Sequence, residues 1–440
     1  MERTKEFKIV IGANFGDEGK GLATDFFAAE AARQGRKCLV VCSNGGAQRG
    51  HTVTLPDGRR HVFHHFGSGT SAGADTRLPY FFVINPMIFM QEYEELLEMM
   101  GADDQFPVRV YLHPDSPVTT PFDMITNQIV EAGRGDNRHG SCGLGIWETI
   151  LRQGASEFAG GSGTLGKMAA MSDGELRVYL EMRCRMYLGK RLRELGVGRI
   201  PEGWLDILDN PHLIENYIMD FREMLMHVIV TEDDRFAEYD TVIFENGQGL
   251  LLDRCRKEYG NHTTPSNTGL RNPAALIREY ISGFRNAGIR NDVPAWKQSR
   301  EENAGKEKDE MNIEVCYVTR TYLTRHGAGP MDGECQMAAI NPDMIDRTNM
   351  PNPYQGTLRY GKLDEKIFWK RIREDFESER FPAGCKVRMT VMLTHLNEYD
   401  HPLAERSDYL SAGETGASVC EAKRNETQSC LHNVIGRVSA

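Results

Sequence analysis

The side chains best able to do chemistry crowd into two short runs near the start of the chain. The first, Gly12-Ala-Asn-Phe-Gly-Asp-Glu-Gly-Lys-Gly21, sets Asp17, Glu18 and Lys20 among Gly12, Gly16, Gly19 and Gly21. The amides of such a turn, with the N-terminus of a following helix, can cradle a phosphate. The run is not a Walker A loop. That pattern would need glycine where Asn14 stands and a hydroxyl where Gly21 stands, and the hydroxyl ordinarily holds magnesium. Asp17 is the carboxylate in place to hold the ion instead. Glycines alone are equally compatible with a purely structural turn; the charged trio among them is what points to phosphate.

The second run, Ser43-Asn-Gly-Gly-Ala-Gln-Arg-Gly-His-Thr52, contains His51. An isolated histidine is usually an ordinary surface or core side chain. Beside a phosphate loop and Asp17, it becomes a candidate acid or phosphate ligand. The two runs meet only if neighbouring parallel strands carry them. Lys8-Ile-Val-Ile-Gly12 is apolar and β-branched, residues 24–34 are Ala-rich at helical spacing, and Lys37-Cys-Leu-Val-Val-Cys42 is a second apolar run. This βαβ start predicts a parallel sheet with both loops at its carboxyl edge.

Further strand-like runs, Phe81-Phe-Val-Ile84, Val108-Arg-Val-Tyr-Leu112, Thr241-Val-Ile-Phe244, Glu314-Val-Cys-Tyr-Val318 and Val387-Arg-Met-Thr-Val-Met-Leu393, alternate with helical stretches. The expected class is therefore α/β, with a large, mostly parallel central sheet and flanking helices. Residues 160–235 carry Leu, Met and Tyr at helical spacing, as in Glu215-Asn-Tyr-Ile-Met-Asp-Phe-Arg-Glu-Met-Leu225, and read as a helical insertion whose Met-rich face belongs to the core or a subunit contact. Residues 297–311 are charge-dense and read as a solvated surface loop. No repeat or linker divides the chain, so a single domain over residues 1–440 is expected.

Composition narrows the partners. Lys and Arg total 52 against 63 Asp and Glu, a formal charge of −11, which argues against nucleic acid as the main ligand while permitting a local basic pocket. At 40% hydrophobic, 9% aromatic and 26% charged, the chain is neither disordered nor a membrane protein by composition. No run approaches the roughly 18 apolar residues of a membrane span. The start MERTKEFKIVIG turns straight from charges into a strand, so no signal peptide is expected. The 10 cysteines form no CxxC pair, which fits buried free thiols in a reducing cytoplasm.

Taken in order, the motifs resemble the adenylosuccinate synthetase family, ligases that join aspartate to inosine monophosphate. GDEGKG and the following GGAQRGHT match its paired N-terminal loops, Phe66-Gly-Ser-Gly69 the segment after them, and Gly140-Ser-Cys-Gly-Leu-Gly145 its Thr- and Gly-rich nucleotide loop. Glu245-Asn-Gly-Gln-Gly-Leu-Leu-Leu-Asp253 and Thr263-Thr-Pro-Ser-Asn-Thr268 are similar to EGAQGxxLD and TSSNT. Thr319-Arg-Thr-Tyr-Leu-Thr-Arg-His-Gly-Ala-Gly-Pro330 resembles YxTRVGxGP, and Gly361-Lys-Leu-Asp364 resembles GWxD. The resemblance implies a P-loop-NTPase-like fold with a helical insertion, working as a cytoplasmic homodimer, with neither nucleic acid nor membrane as partner.

It also implies the chemistry. A γ-phosphoryl group passes to the purine O6, and the amine of L-aspartate then displaces it at C6. Asp17 would take the N1 proton and touch Mg2+ together with Gly50. His51 would stabilise the transferring phosphoryl group, while Lys20, Gly16, Glu18, Gly19, Gly21, Gly50 and Thr52 hold the donor phosphates. Gln248 would bind the base edge of the purine nucleoside monophosphate. Gln48, Ser141 or Cys142, and Thr264 would hold its 5′-phosphate, with Arg152 crossing from a partner subunit. Thr357 and Arg359 would bind the amino acid, and His395, Asn397, Ser411 and Gly413 the base of the nucleoside triphosphate.

Three departures from the family stand out. Its guanine-reading TKxD appears as Thr394-His-Leu-Asn397, whose amide suits adenine at least as well, so ATP or dATP is expected to serve beside or instead of GTP. The aspartate loop reads Asn352-Pro-Tyr-Gln-Gly-Thr-Leu-Arg-Tyr360, with only Arg359 on a family arginine. The nucleotide loop is shorter around Ile146-Trp-Glu-Thr149. An active ligase is the leading expectation because Asp17, Lys20, His51 and Gln248 all survive. A 2-aminoadenylosuccinate synthetase acting on a guanine nucleotide and a non-catalytic purine-nucleotide-binding protein are the alternatives.

Overall fold

The computed structural model describes residues 4–101, 108–135, 139–155, 163–286, 311–344 and 356–422. Strands β1 (Lys5–Gly12) and β2 (Cys38–Cys42) enclose helix α1 (Lys20–Arg33). A hairpin of β3 (His51–Thr54) and β4 (Arg60–Phe63) precedes β5 (Asp75–Leu78), α2 (Pro86–Met100), β6 (Val110–Leu112), α3 (Pro121–Gly133) and α4 (Ile146–Gly154). Residues 165–226 are mostly helical, with a π turn at Leu180–Cys184 and a long final helix, His212–Met226. The chain then returns through β7 (Ile229–Val230) and β8 (Thr241–Glu245) to a helix at Arg271–Asn286. Strands β9 (Met311–Arg320), β10 (Leu323–Arg325), β11 (Glu334–Cys335) and β12 (Arg359–Gly361) lead to a helix at Glu365–Ser378. Last come β13 (Cys385–Thr394), β14 (Tyr409–Ser411) and β15 (Val419–Glu421).

Ten of these strands form one sheet in the order β15-β14-β13-β9-β1-β8-β2-β5-β6-β7, parallel at every pairing except β14–β15. Period-two alternation along β1 explains the layers. Phe7, Ile9 and Ile11 face a core shared with Ala274, Ile277 and Ile281 of one helix and Phe368 and Ile372 of another. Val10, with Val40, Ile243 and Val318, faces Leu22, Ala23, Phe27 and Ala28 of α1. Helices cover both faces, as parallel strands require. The helical stretch has its own core, where Leu176, Leu180, Leu188 and Phe221 meet Phe89 and Phe122. Glu314 of β9 is nearly buried and ties four strands together: it accepts from Lys8 at 3.0 Å, Arg388 at 2.7 Å and Tyr409 at 2.8 Å.

One expected element differs, and another lies almost wholly outside the described residues. Residues 81–84 are not a strand; Val83 and Ile84 form only isolated bridges, to Gly46 and Val118, and the strand lies upstream at Asp75–Leu78. The apolar run is there because the segment is buried, and burial alone does not distinguish a strand from a packed turn. Of the charged stretch 297–311, only Met311 is among the described residues, and it opens β9.

Arg152 requires a correction. Instead of crossing to a partner, it is fully buried at the end of α4, where Nε and Nη2 donate to the two carboxylate oxygens of Asp123 at 2.8 and 2.9 Å. Its remaining donors go to Tyr179 Oη at 2.7 Å and the Val118 carbonyl at 2.9 Å. Asp123 also completes the capping box of Thr120 at the start of α3, so the pair locks α3 to α4 and the helical stretch. Removing one member of a buried pair strands the other charge at about 3–5 kcal/mol. Arg152→Ala should lose stability of that order in chemical denaturation. An unaltered unfolding midpoint, with loss confined to nucleotide binding, would restore the crossing role.

Candidate active site

The strand order places the loops after β2, β8, β1, β9 and β13 side by side at one carboxyl edge. Between them lies a cleft of about 890 Å³. Its charged lining includes Lys20, Arg49, Arg134, Arg254, Arg320 and Arg325 against Asp17, Glu148, Glu398 and Glu414, a basic excess within an acidic chain.

The loop after β1 is built around an inward-turned carboxylate. Glu18, 1% exposed, accepts from the Asn14 and Gly16 amides, each at 2.9 Å, and pairs with Lys20 Nζ at 2.8 Å. A Cβ on Gly12 would lie 2.4 Å from Glu18 Oε2 and 2.8 Å from Lys20 Nζ, so only glycine lets the strand end there. Glu18 does not line the cleft. Its expected role as a phosphate ligand is therefore corrected: an anion held by loop amides braces the loop and Lys20. Gly19, in the left-handed region at φ 96°, starts α1 without a side-chain cap, which leaves the helix's first amides for a ligand. Gly16, Asp17, Gly19, Lys20 and Gly21 all line the cleft, and Asp17 itself adopts φ 62°.

Across the cleft, His51 opens β3 and donates from Nδ1 to Glu245 Oε1 at 2.7 Å. Glu245 ends β8 between β1 and β2, fully buried. Its other oxygen, Oε2, takes Arg49 at 2.7 Å and the Ser68 amide at 3.2 Å, while the Ser68 hydroxyl donates to Oε1 beside His51. Burial alone would raise the Glu245 carboxyl, but Arg49, His51 and Ser68 hold it well below the usual carboxylate range. Burial lowers the His51 imidazole to about 4, outweighing the pull of Glu245. The ring is thus neutral, with its proton on Nδ1, and Nε2 is a buried atom without a protein partner. Gly50 and Thr52 line the cleft on either side of it.

Gln248 sits at φ 57° and accepts from Asn44 Nδ2 at 3.2 Å; Gln48, also lining the cleft, has both amide atoms buried without partners. Such a pair is suited to a ligand's polar edge. Ser141, Cys142 and Thr264 meet at the far end. Ser141 Oγ donates to Asn127 Oδ1 at 2.8 Å, and burial pushes the Cys142 thiol up, which keeps it uncharged. At the other end, His395 at φ 62°, Asn397 and Gly413 line the cleft. Ser411 is instead fully buried behind it, donating to the Gly413 carbonyl at 3.1 Å, so its expected contact with a base becomes support for the loop.

The expected amino-acid ligands are not brought in. Thr357 is exposed outside the cleft. Arg359 pairs with Glu334 and donates to the Gly327 and Gly329 carbonyls at 3.0 and 2.8 Å, so its guanidinium holds the loop after β10 in shape. Within the described part of that region, Arg325 and His326 line the cleft instead. Glu245 was visible as a carboxylate ending an apolar strand, a signal that marks a paired buried charge, but nothing in the sequence said which groups pair with it. Among the described residues no group of three or more His, Cys, Asp or Glu could hold a metal. Asp17 and Gly50 do line the cleft together, the sparse oxygen set with which magnesium binds alongside substrate phosphates. No helix among the described residues is long and apolar enough to cross a membrane.

The adenylosuccinate synthetase family profile matches residues 9–277. The adenylosuccinate synthetase of Lactobacillus acidophilus is 28% identical over 326 residues, 74% of this chain and 64% of its own length. That of Nostoc punctiforme is 30% identical over 263 residues, 59% of this chain and 53% of its own. The chain thus spans less than two thirds of these relatives. A fully ligated adenylosuccinate synthetase from Plasmodium falciparum superposes with a TM-score of 0.58 at 17% identity, covering 89% of this chain and 77% of that one. The cyanophage S-2L succinoaminodeoxyadenylate synthetase, bound to dGMP and to dATP as energy donor, gives 0.55 at 15% identity over 99% of both chains.

His51 supplies a pH test. Its folded pKa of about 4 lies below the ordinary 6.5, so its neutral burial stabilises the fold fully above about pH 6.5 and progressively less as pH falls toward 4. In nucleotide-free protein, the His51 ring followed by NMR should stay neutral at pH 6, and His51→Asn should flatten the loss of stability between those limits. A ring titrating near 6.5 would contradict the buried Nδ1–Glu245 arrangement.

Proposed function

The chain belongs to the adenylosuccinate synthetase family, and from that premise we propose that it is a nucleoside-triphosphate-dependent ligase. The reaction joins the amine of L-aspartate to C6 of a 6-oxopurine nucleoside monophosphate of the inosine type, through a 6-phosphoryl intermediate. The observation that carries the reading is the convergence of Asp17, Lys20, His51 and Gln248 on one cleft from the ends of β1, β2 and β8.

Each group has a task the geometry suits. Asp17 takes the proton from N1, so that O6 becomes the nucleophile. Lys20 and the first amides of α1 hold the donor phosphates. His51 faces them with Nε2; phosphate charge arriving there raises the imidazole from its low resting pKa, and the Glu245 carboxylate stabilises the imidazolium that then donates to the transferring group. Gln248 and Gln48 offer amide donors and acceptors to the acceptor nucleotide. Magnesium, held by Asp17 and Gly50 with phosphate oxygens, would neutralise charge on the phosphoryl group. No protein ligand for aspartate is assigned, since Thr357 is exposed outside the cleft and Arg359 is committed to Glu334 and the loop after β10.

The donor is read by Asn397. Guanine presents two N–H groups that a carboxylate can accept together, whereas an amide accepts one and sets its own NH₂ against the other; adenine's N6 and N1 match an amide. The cyanophage protein, of the same fold, uses dATP. A guanine acceptor is the second reading, favoured by the same likeness, although that branch looks to carry a small residue where Asp17 stands. We further assign a cytoplasmic homodimer. Val178, Met182 and Met186 lie on successive turns of one helical run at 57%, 57% and 56% exposure, an apolar stripe that a second copy would cover.

The reading is tested by a matrix of purine monophosphates, triphosphates and amino acids, with product identified by mass. Aspartate with inosine monophosphate should turn over with ATP at least as well as with GTP, and Asp17→Ala or His51→Ala should abolish turnover. Asn397→Asp should move preference toward GTP by roughly tenfold or more, a mispaired edge being worth about 1–3 kcal/mol. Near wild-type turnover by Asp17→Ala would sink the base assignment, and a strong GTP preference in the wild type the donor argument. Sedimentation should give a mass near twice 49.6 kDa; a monomer, with Met182→Glu changing nothing, would exclude the dimer.

A further inference from the structure

One segment grips Asp17 at two places and the preceding Gly16 at a third. Arg320 Nε donates to the Asp17 carbonyl, and Thr324 Oγ1 donates to the preceding Gly16 carbonyl at 3.2 Å. Two residues beyond Thr324, His326 places Nε2 3.4 Å from Asp17 Oδ2, with the two side chains 24% and 27% exposed at the cleft wall. The motif that residues 319–330 resemble carries valine at this position, which has no proton to donate.

The loop bearing His326 is set firmly. A Cβ on Gly327 would come within 2.9 Å of the Gly140 backbone, so two glycine loops close on each other there. The Arg359 guanidinium holds the Gly327 and Gly329 carbonyls, and Arg325 donates to the His262 carbonyl at 3.0 Å and to that of Pro330. The imidazole therefore approaches Asp17 from a built wall rather than from a free loop.

We infer that His326 is a positioning residue for Asp17: its Nε2–H holds Oδ2 and turns Oδ1 toward the acceptor base. A carboxylate on a left-handed residue has no helix or strand to fix its plane, and the backbone bonds from Arg320 and Thr324 leave the side-chain torsions open. A separation of 3.4 Å is longer than a formed N–H···O bond of roughly 2.7–3.2 Å and closes when a base packs on the carboxylate. Aligning the base in this way acts on the chemical step more than on binding of the triphosphate. The inference rests on the reading of Asp17 as the base in this cleft.

The test compares His326→Val, which removes the donor, with His326→Gln, which keeps an amide donor. In the aspartate–inosine monophosphate assay, His326→Val should lower kcat about ten- to hundredfold, the span of a lost hydrogen bond to a charged group. The KM for the triphosphate should stay within about twofold, and His326→Gln should recover most of the rate. Unchanged kcat in His326→Val, or failure of a folded His326→Gln to recover it, would each overturn the inference. A readout without turnover separates it from the functional reading. The His326 imidazole NMR signals should shift on Asp17→Asn in nucleotide-free protein, and their indifference would refute the contact whatever the enzyme's activity.

Discussion

The fully buried Glu245 carboxylate is the constraint on which the site depends. It ends β8 between β1 and β2, the two strands whose following loops line the cleft, and no part of it is exposed. A lone carboxylate there would be prohibitive, so three elements must come to it: Arg49 from the loop after β2, His51 from the start of the hairpin, and Ser68 from the loop after β4. Satisfying the charge fixes where the second loop runs. It also presets the imidazole, whose proton is committed to the carboxylate while Nε2 is left to the cleft.

A second carboxylate does the same work in the first loop. Glu18 gathers two amides and Lys20 under the end of β1, and Thr394 at the end of β13 donates to its carbonyl at 2.8 Å. The phosphate loop is thereby shaped before any phosphate arrives. That order matters energetically, because a loop organised by its own anion pays little conformational entropy when a ligand binds. It also means that Lys20 must exchange some of its attraction to Glu18 for attraction to phosphate, which keeps binding reversible.

Much of this was legible in the sequence, for a physical reason. Apolar β-branched runs separated by a helical pattern determine a parallel sheet, and a parallel sheet determines that Asp17, His51 and Gln248 share an edge; no side-chain detail is needed. What periodicity could not give is the partner of each charge. Arg152 and Arg359 look like ligand arginines because arginine so often is one, yet each finds a carboxylate of its own chain, Asp123 and Glu334. Such pairs join residues distant in sequence, and their geometry exists only after the helices pack. Residues 81–84 misled for the complementary reason: burial produces an apolar run whether the backbone is extended or turned.

Those two arginines also bear on how the site has diverged. With Arg152 consumed in locking α3 to α4, and Arg359 in holding the loop that carries His326, the positive charge facing the cleft comes from other places, among them Arg134, Arg254 and Arg325. Arg254 is exposed on the segment leading to Thr264, and its own amide donates to the Ser266 carbonyl, so it lines the cleft beside the segment that carries Thr264. Phosphate recognition depends on the local density of cations and amides, not on which strand supplies them. The same fold can therefore hold Asp17, His51 and Gln248 at one sheet edge while the cations that face the cleft come from different loops. On the proposed reading, the segment before β12 bears on specificity rather than on the step assigned to Asp17 and His51, since Arg359 acts on the cleft only through the backbone it supports.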